Sequence, residues 1–158
     1  MHRPRKLLEL TLARRARLLI AADARARFPE ECCGLLIGVL RAGKAHVTRV
    51  VPAANVAPPA RRRRHFEIDP GALFAVRRTL RESGATRHRE AILGYFHSHP
   101  GGNALPSGAD LAGAHEVGLV TLIAAPPRKA GVVPLRAWLR LGGGPSSRFR
   151  PLKITTDL

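Results

Sequence analysis

The run Ala91-Ile92-Leu93-Gly94-Tyr95-Phe96 is apolar and partly aromatic, and it ends directly on His97-Ser98-His99-Pro100. Such a run predicts a buried strand. A buried strand that ends in His-x-His restricts the fold more than any other feature of the chain. Side chains alternate faces along a strand, so His97 and His99 point the same way while Ser98 turns aside. Pro100-Gly101-Gly102 then breaks the strand into a turn.

A helix start follows. Ser107-Gly108-Ala109-Asp110 comes directly after Pro106, and a Ser three residues before an acid resembles the start of a capping box. Alone, that pattern means only that Ser107 caps a helix and Asp110 answers it. Beside a His-x-His strand end, the loop from Pro100 to Pro106 can also fold Asp110 back towards both imidazoles. Two His and one carboxylate form a catalytic zinc set, with the fourth tetrahedral position left for water. Zinc lowers the pKa of that water to about 7, and a nearby carboxylate must then take its proton. The segment Phe28-Pro29-Glu30-Glu31-Cys32-Cys33-Gly34-Leu35-Leu36-Ile37-Gly38 offers Glu30 and Glu31, placed where a helix ends and an apolar strand begins. Most acidic pairs at such turns are simply solvated, and these residues alone do not choose between the two.

The combination of an upstream Glu with His-x-His-x7-Ser-x2-Asp resembles the JAMM (MPN-plus) zinc metalloprotease family. Seven residues, Pro100 to Pro106, separate His99 from Ser107, as that pattern requires. The block Pro29-Glu30-Glu31-Cys32-Cys33-Gly34-Leu35-Leu36-Ile37-Gly38 is similar to the P-x-E-x-C-G-L-L-x-G block of its short bacterial members. Asn55, Phe66-Glu67-Ile68-Asp69-Pro70 and Gly94-Tyr95-Phe96 also match, so the resemblance runs from about Leu8 to about Arg140. It implies that His97, His99 and Asp110 bind zinc, that Glu31 is the general base, and that Ser107 stabilises the oxyanion. It further implies a single-domain α/β fold of the MPN, cytidine-deaminase-like type, with a mixed, curved sheet flanked by helices. The implied activity is a peptidase or isopeptidase cutting after the C-terminal Gly-Gly of a ubiquitin-like protein. For a short bacterial type the implied partner is a small sulfur-carrier protein. The stretch between Asp110 and Leu119 leaves no room for the long insertion of the family's polyubiquitin enzymes, so linkage selectivity is not expected.

At 158 residues the chain is long enough for one sizeable core and too short for two ordinary domains. The catalytic domain is expected over residues 1–141, with 142–158 as a Gly/Pro/Ser break and tail. Leu7 to Phe28 reads as one helix ended by Pro29. Strands are expected at Cys33–Leu40, Ala45–Val51, Phe66–Ile68, Leu119–Ala125 and Leu135–Leu141. A helix is expected at Gly71–Glu82, closed by Ser83-Gly84, and Pro52 to Arg64 reads as loop. There is no internal repeat and no apolar run of membrane-spanning length. The N-terminus is basic and poor in acids like a transit peptide, but Leu7 onward is needed by the domain, and no signal peptide is evident.

The two cysteines, Cys32 and Cys33, are neighbours and read as small buried core residues, in keeping with a reducing cytoplasm. The formal net charge is +16, and Arg61 to Arg64 is the densest basic run. That balance suits an acidic protein partner or nucleic acid, although a charge run in a loop is usually solvated. With five Phe, one Tyr and one Trp and no RNA-type aromatic motif, reading of nucleic acid is the weaker expectation. The alternatives are a RadC-type relative associated with DNA and a non-catalytic interaction module. The former lacks space here for an N-terminal helical region, and the latter is disfavoured by the intact ligand set. His2, His46, His65, His88 and His115 lack ligand spacing among themselves, and only His115 is a candidate neighbour of the site.

Overall fold

The protein is described by a computed structural model covering residues 7–83, 89–113 and 116–157. Its strands are β1 (Glu9–Leu12), β2 (Cys33–Arg41), β3 (Lys44–Ala53), β4 (Ala91–Ser98), β5 (Val120–Ala124), β6 (Leu135–Leu141) and β7 (Arg148–Thr155). The helices are α1 (Arg14–Arg27), α2 (Pro70–Glu82) and α3 (Gly108–Ala112). The sheet runs β1-β3-β2-β4-β5-β6-β7 and closes into a barrel through β1 and β7. Pairings β1/β3, β1/β7 and β4/β5 are parallel, and the others antiparallel. The sheet is therefore mixed and curved as expected. Helices α1 and α2 flank it only roughly as expected, because the sheet closes on itself: β1 hydrogen-bonds on both sides and leaves no edge there.

Two segments depart from the sequence reading, and together they cause that closure. Residues 7–12 were expected within the first helix, yet Leu10 and Leu12 are fully buried in a strand held between β3 and β7. Leucine favours helix in isolation, and sheet pairing overrides the preference here. The helix itself, Arg14–Arg27, ends where Phe28 turns extended (φ −49°, ψ 131°), as a residue before proline must. Residues 148–155, expected as tail, form β7, which buries Leu152 and pairs with β6. The glycine break before it is present: Gly142 and Gly144 adopt φ of 66° and 55°. Phe66–Ile68 is not a ladder strand, and only an Asn55–Ile68 bridge forms there.

The barrel has two apolar faces. Ala16, Ile20 and Ala24 recur on one stripe of α1 and pack with Leu10, Leu36, Phe96, Leu122 and Leu152. On the other face, Leu35 and Ile37 alternate with Leu36 and meet Leu73, Val76 and Leu80 of α2. Asp69 caps α2 by accepting from the Gly71 N–H at 3.0 Å. A small cluster of Ala104, Ile123, Ala125 and Trp138 lies beneath the loop after β4. No helix among the described residues is long and apolar enough to cross a membrane.

The β4/β5 contact is tight at Gly94, where an added Cβ would sit 1.9 Å from the Val120 carbonyl oxygen. Gly94→Ala should therefore force the two strands apart and cost about 1–3 kcal/mol, the usual scale of overpacking. Gly108→Ala, with nothing within 4 Å of its Cβ position, should be neutral or slightly stabilising. Urea unfolding of the two variants checks this, and equal midpoints would refute the packing argument.

Candidate active site

Parallel pairing of β4 with β5, and antiparallel pairing of β4 with β2, bring His97 beside Ile123 and Cys33 at the end of the strand. His97 is 1% exposed, and its ring stacks on Phe66 at 4.5 Å between centroids. Ser98 turns aside, as the alternation requires. Its Oγ accepts from the Cys32 N–H at 2.8 Å, and its own N–H donates to the Cys32 carbonyl at 3.1 Å. Both bonds tie the end of β4 to the residue after Glu31, which sets that strand and the acidic turn at a fixed separation.

His99 lies beyond the strand. Its N–H donates to the Ala124 carbonyl at 2.8 Å, and its ring Nδ1 donates to the Asn103 carbonyl at 2.9 Å. A carbonyl can only accept, so the neutral ring keeps its lone pair on Nε2. The intervening loop is pinned from below, where the Trp138 Nε1–H donates to the Ala104 carbonyl at 3.0 Å.

Asp110 closes the group. His97 Nε2 is 3.0 Å from its Oδ1, and His99 Nε2 is 3.1 Å from its Oδ2. The two imidazole Nε2 atoms are 3.1 Å apart. The capping box is also real: Ser107 Oγ accepts from the Asp110 N–H at 3.1 Å, and Asp110 Oδ2 accepts from the Ser107 N–H at 2.7 Å. The capping role of Asp110 is compatible with a place in a metal-ligand group, because its carboxylate reaches the Ser107 N–H and both imidazoles. Burial alone would raise its pKa, but hydrogen bonding with His97, and with His99 once its ring is protonated on both nitrogens, outweighs burial and holds the carboxyl far below its ordinary range. His97 is shifted down, chiefly by burial. Burial lowers His99 too, but its contacts with Asp110 prevail and the net shift is upward.

Three buried or half-buried donor atoms that crowd to 3.0–3.1 Å match the edges of a small coordination sphere. A tetrahedron with zinc–ligand distances of about 2.0–2.1 Å has edges of about 3.3 Å. His97, His99 and Asp110 could therefore hold a metal ion, and they are the one such group among the described residues.

Of the acidic pair, Glu31 lies on the wall of a cleft of about 380 Å³ that also exposes Asp110, Arg64, Phe66, Leu73 and Tyr95. Glu30 is not among the lining residues. Glu31 is buried, and that burial pushes its carboxyl up to about 8, with the Asp110 charge adding to the shift and His99 opposing it. Its backbone is held on both sides: the N–H donates to the Arg62 carbonyl at 2.8 Å, and the carbonyl accepts from Asn55 Nδ2 at 3.1 Å. Asn55 also donates to the His65 carbonyl, and its Oδ1 accepts from the Ala57 and Glu67 N–H groups. Ser107 is exposed at the helix start and is not part of the cleft wall. Cys32 and Cys33 are free and buried, and burial raises both thiols to about 12, so neither is a nucleophile at neutral pH. His46 stands on β3 and His65 pairs with Glu67 at 3.5 Å, while His2, His88 and His115 lie outside the described residues.

The positioning roles of Ser98, Asn55 and Trp138 were not evident in the sequence. Only the His-x-His alternation hinted that Ser98 faces elsewhere.

Comparison with known proteins agrees with this geometry. Residues 13–141 match the family described as prokaryotic homologs of the JAB domain. The chain is 32% identical over 154 residues to the desampylase of Haloferax volcanii, covering 90% of this chain and 98% of that protein. It is 38% identical over 108 residues to a probable TtuB-protein conjugate cleaving protease of Thermus thermophilus, covering 68% of this chain and 59% of that protein. The solution structure of a Desulfitobacterium hafniense protein superposes with a TM-score of 0.76 at 29% identity, covering 94% of this chain and 92% of that one. One from Salinibacter ruber gives 0.60 at 26% identity, covering 93% and 90%. With its ligand pattern, its cleft and a match over most of its length, the chain belongs to the prokaryotic JAB-domain family of JAMM-type proteins.

Proposed function

We propose that the chain is a zinc metallopeptidase of the isopeptidase kind. It hydrolyses the bond after the C-terminal Gly-Gly of a small ubiquitin-like or sulfur-carrier protein, in the cytoplasm. The observation that carries the reading is the convergence of His97, His99 and Asp110, with Asp110 and Glu31 both on the wall of one cleft. Two relatives support the substrate class, one named a desampylase and the other named for cleaving TtuB–protein conjugates.

His97, His99 and Asp110 would hold a zinc ion, which would supply Lewis acidity and make water more acidic. The remaining work falls to this chain's own groups. Glu31 takes a proton from the attacking water at its carboxylate and returns it to the departing amine. Burial suits it to that task, since an ordinary carboxylate is too weak a base, and a cation beside it draws its raised pKa back towards neutrality. The Ser107 hydroxyl oxygen is occupied by the Asp110 N–H, which leaves its proton free for the developing oxyanion. Phe66, Leu73 and Tyr95 give the cleft an apolar wall suited to a thin Gly-Gly tail. Between Ala112, the end of α3, and Val120, the start of β5, there is no insertion to select a chain linkage. The intact ligand set and the buried Glu31 count against a purely structural module.

The substrate's own surface would meet arginine. Arg61, Arg63 and Arg64 are exposed on a turn held by backbone hydrogen bonds, and Arg64 reaches the cleft wall. An acidic carrier fits that rim, whereas the RadC-like alternative would place DNA there.

Three outcomes are expected. Wild-type protein should hold about one zinc per chain, and Asp110→Ala should lose zinc and cleavage together. Glu31→Gln should keep the zinc while activity falls by roughly two to four orders of magnitude, and Glu30→Gln should change little. Metal analysis beside a cleavage assay decides, and full activity in strong chelator would refute the mechanism. Secondly, a carboxyl raised from 4.5 to about 8 contributes stability that is fully present below its unfolded pKa and lost as pH rises through the folded one. In metal-free protein, Glu31→Gln should therefore gain stability relative to wild type between about pH 5 and 8, and a pH-independent difference in urea unfolding would contradict the burial argument. Thirdly, carrier cleavage should slow with salt through a higher apparent KM. Replacing Arg61 to Arg64 by Ser should mimic that loss, and a short Gly-Gly peptide should be indifferent. If random duplex DNA competes at low concentration while the Arg run leaves carrier KM unchanged, the charge serves nucleic acid instead.

A further inference from the structure

Arg140 of β6 is only 5% exposed, and no carboxylate lies within ion-pair distance of it among the described residues. Its Nη1 donates to the Asp110 carbonyl at 3.1 Å, and its Nη2 donates to the Leu111 carbonyl at 3.0 Å. Its Nε has no hydrogen-bond partner among the described residues, and its guanidinium stands 5.6 Å from the centre of the Phe149 ring on β7. A buried guanidinium without a carboxylate is costly to desolvate, and here its donors are directed onto two backbone carbonyls and not onto a counter-charge.

The reason lies in α3. That helix has five residues, Gly108–Ala112, far too few to hold its own shape. Its N-terminus is tied by the Ser107 capping box. Its last carbonyls have no partner further along the helix. Arg140 satisfies two of them from the sheet side. One of the two belongs to Asp110 itself, whose carboxylate must meet His97 Oδ1 to Nε2 at 3.0 Å and His99 at 3.1 Å. The main chain of Arg140 is equally fixed, by its N–H to the Leu119 carbonyl and its carbonyl from the Gly118 N–H. The clamp thus refers the metal ligand to β6, the strand next to β5 in the barrel.

We infer that Arg140 is a positioning residue for the metal centre: its guanidinium spans the Asp110 and Leu111 carbonyls and sets the orientation in which Asp110 completes the ligand group. The inference rests on His97, His99 and Asp110 being the zinc ligands. It concerns metal affinity and not the cleavage step. Lysine carries the charge but cannot span two carbonyls with a planar fork, so the role is specific to arginine.

The test is zinc affinity by chelator competition, together with the visible spectrum of the cobalt-substituted protein and the melting temperature. Arg140→Met and Arg140→Lys should each weaken zinc by roughly 10- to 100-fold, the usual scale when support to a ligand is removed, with Lys the milder of the two. The cobalt spectrum should change in both. Leu152→Ala, a core truncation in the same barrel, should lower the melting temperature and leave zinc affinity and spectrum as in wild type. If Arg140→Met fails to fold, Arg140→Lys carries the comparison. Zinc affinity within twofold of wild type in the folded variant, or a loss that Leu152→Ala reproduces, would overturn the inference while leaving the zinc reading intact. A wild-type chain that binds no zinc would instead overturn the ligand reading on which it stands.

Discussion

The carboxylate of Asp110 is held from two directions at once, and the site depends on it. One oxygen faces His97, and the other faces His99 and the Ser107 N–H. A capping interaction is ordinarily worth about 1 kcal/mol to its helix. Here it also orients the carboxylate towards both imidazoles, so the start of α3 and the group of His97, His99 and Asp110 form as a single unit. Everything that fixes the relative position of β4 and α3 serves that carboxylate. The parallel β4/β5 pairing does so, as do the loop pinned by Trp138 and the Arg140 clamp.

Electrostatically, the centre is a set of conflicting demands. Burial disfavours charge on His97, Asp110 and Glu31 alike. Asp110 stays ionised through its two imidazole neighbours and the Ser107 N–H, whereas burial, with no hydrogen bond of that kind to offset it, drives the Glu31 carboxyl up to about 8. A divalent cation held there would ease both demands, since it would be attracted to Asp110 and would favour ionised Glu31.

What could be read from the sequence was what is local. His97, His99, Ser107 and Asp110 are set by strand alternation and by a capping pattern, both of which act within a few residues. The strands around them were placed to within a few residues for the same reason. The closure of the barrel was not readable, because it needs β1 and β7 to meet from opposite ends of the chain. Leu7 to Leu12 carries helix-favouring leucines, and β7 contains Pro151 among alternating basic residues, so both local signals pointed away from sheet. Ser98, Asn55, Trp138 and Arg140 are single polar or aromatic residues whose value exists only through distant partners, such as Asn55 to the carbonyls of Glu31 and His65. Glu31 and Glu30 differ in burial and in access to the cleft, a difference that no local physical signal gives before folding and that only the family pattern anticipates.

The central claim is that zinc sits on His97, His99 and Asp110 with no sulfur in its shell. X-ray absorption at the zinc edge of the metal-loaded protein tests it most directly. The account expects nitrogen and oxygen ligands only, at about 2.0–2.2 Å, with an imidazole scattering pattern for two histidines. A zinc–sulfur distance of about 2.3 Å would instead place Cys32 or Cys33 on the metal and contradict it.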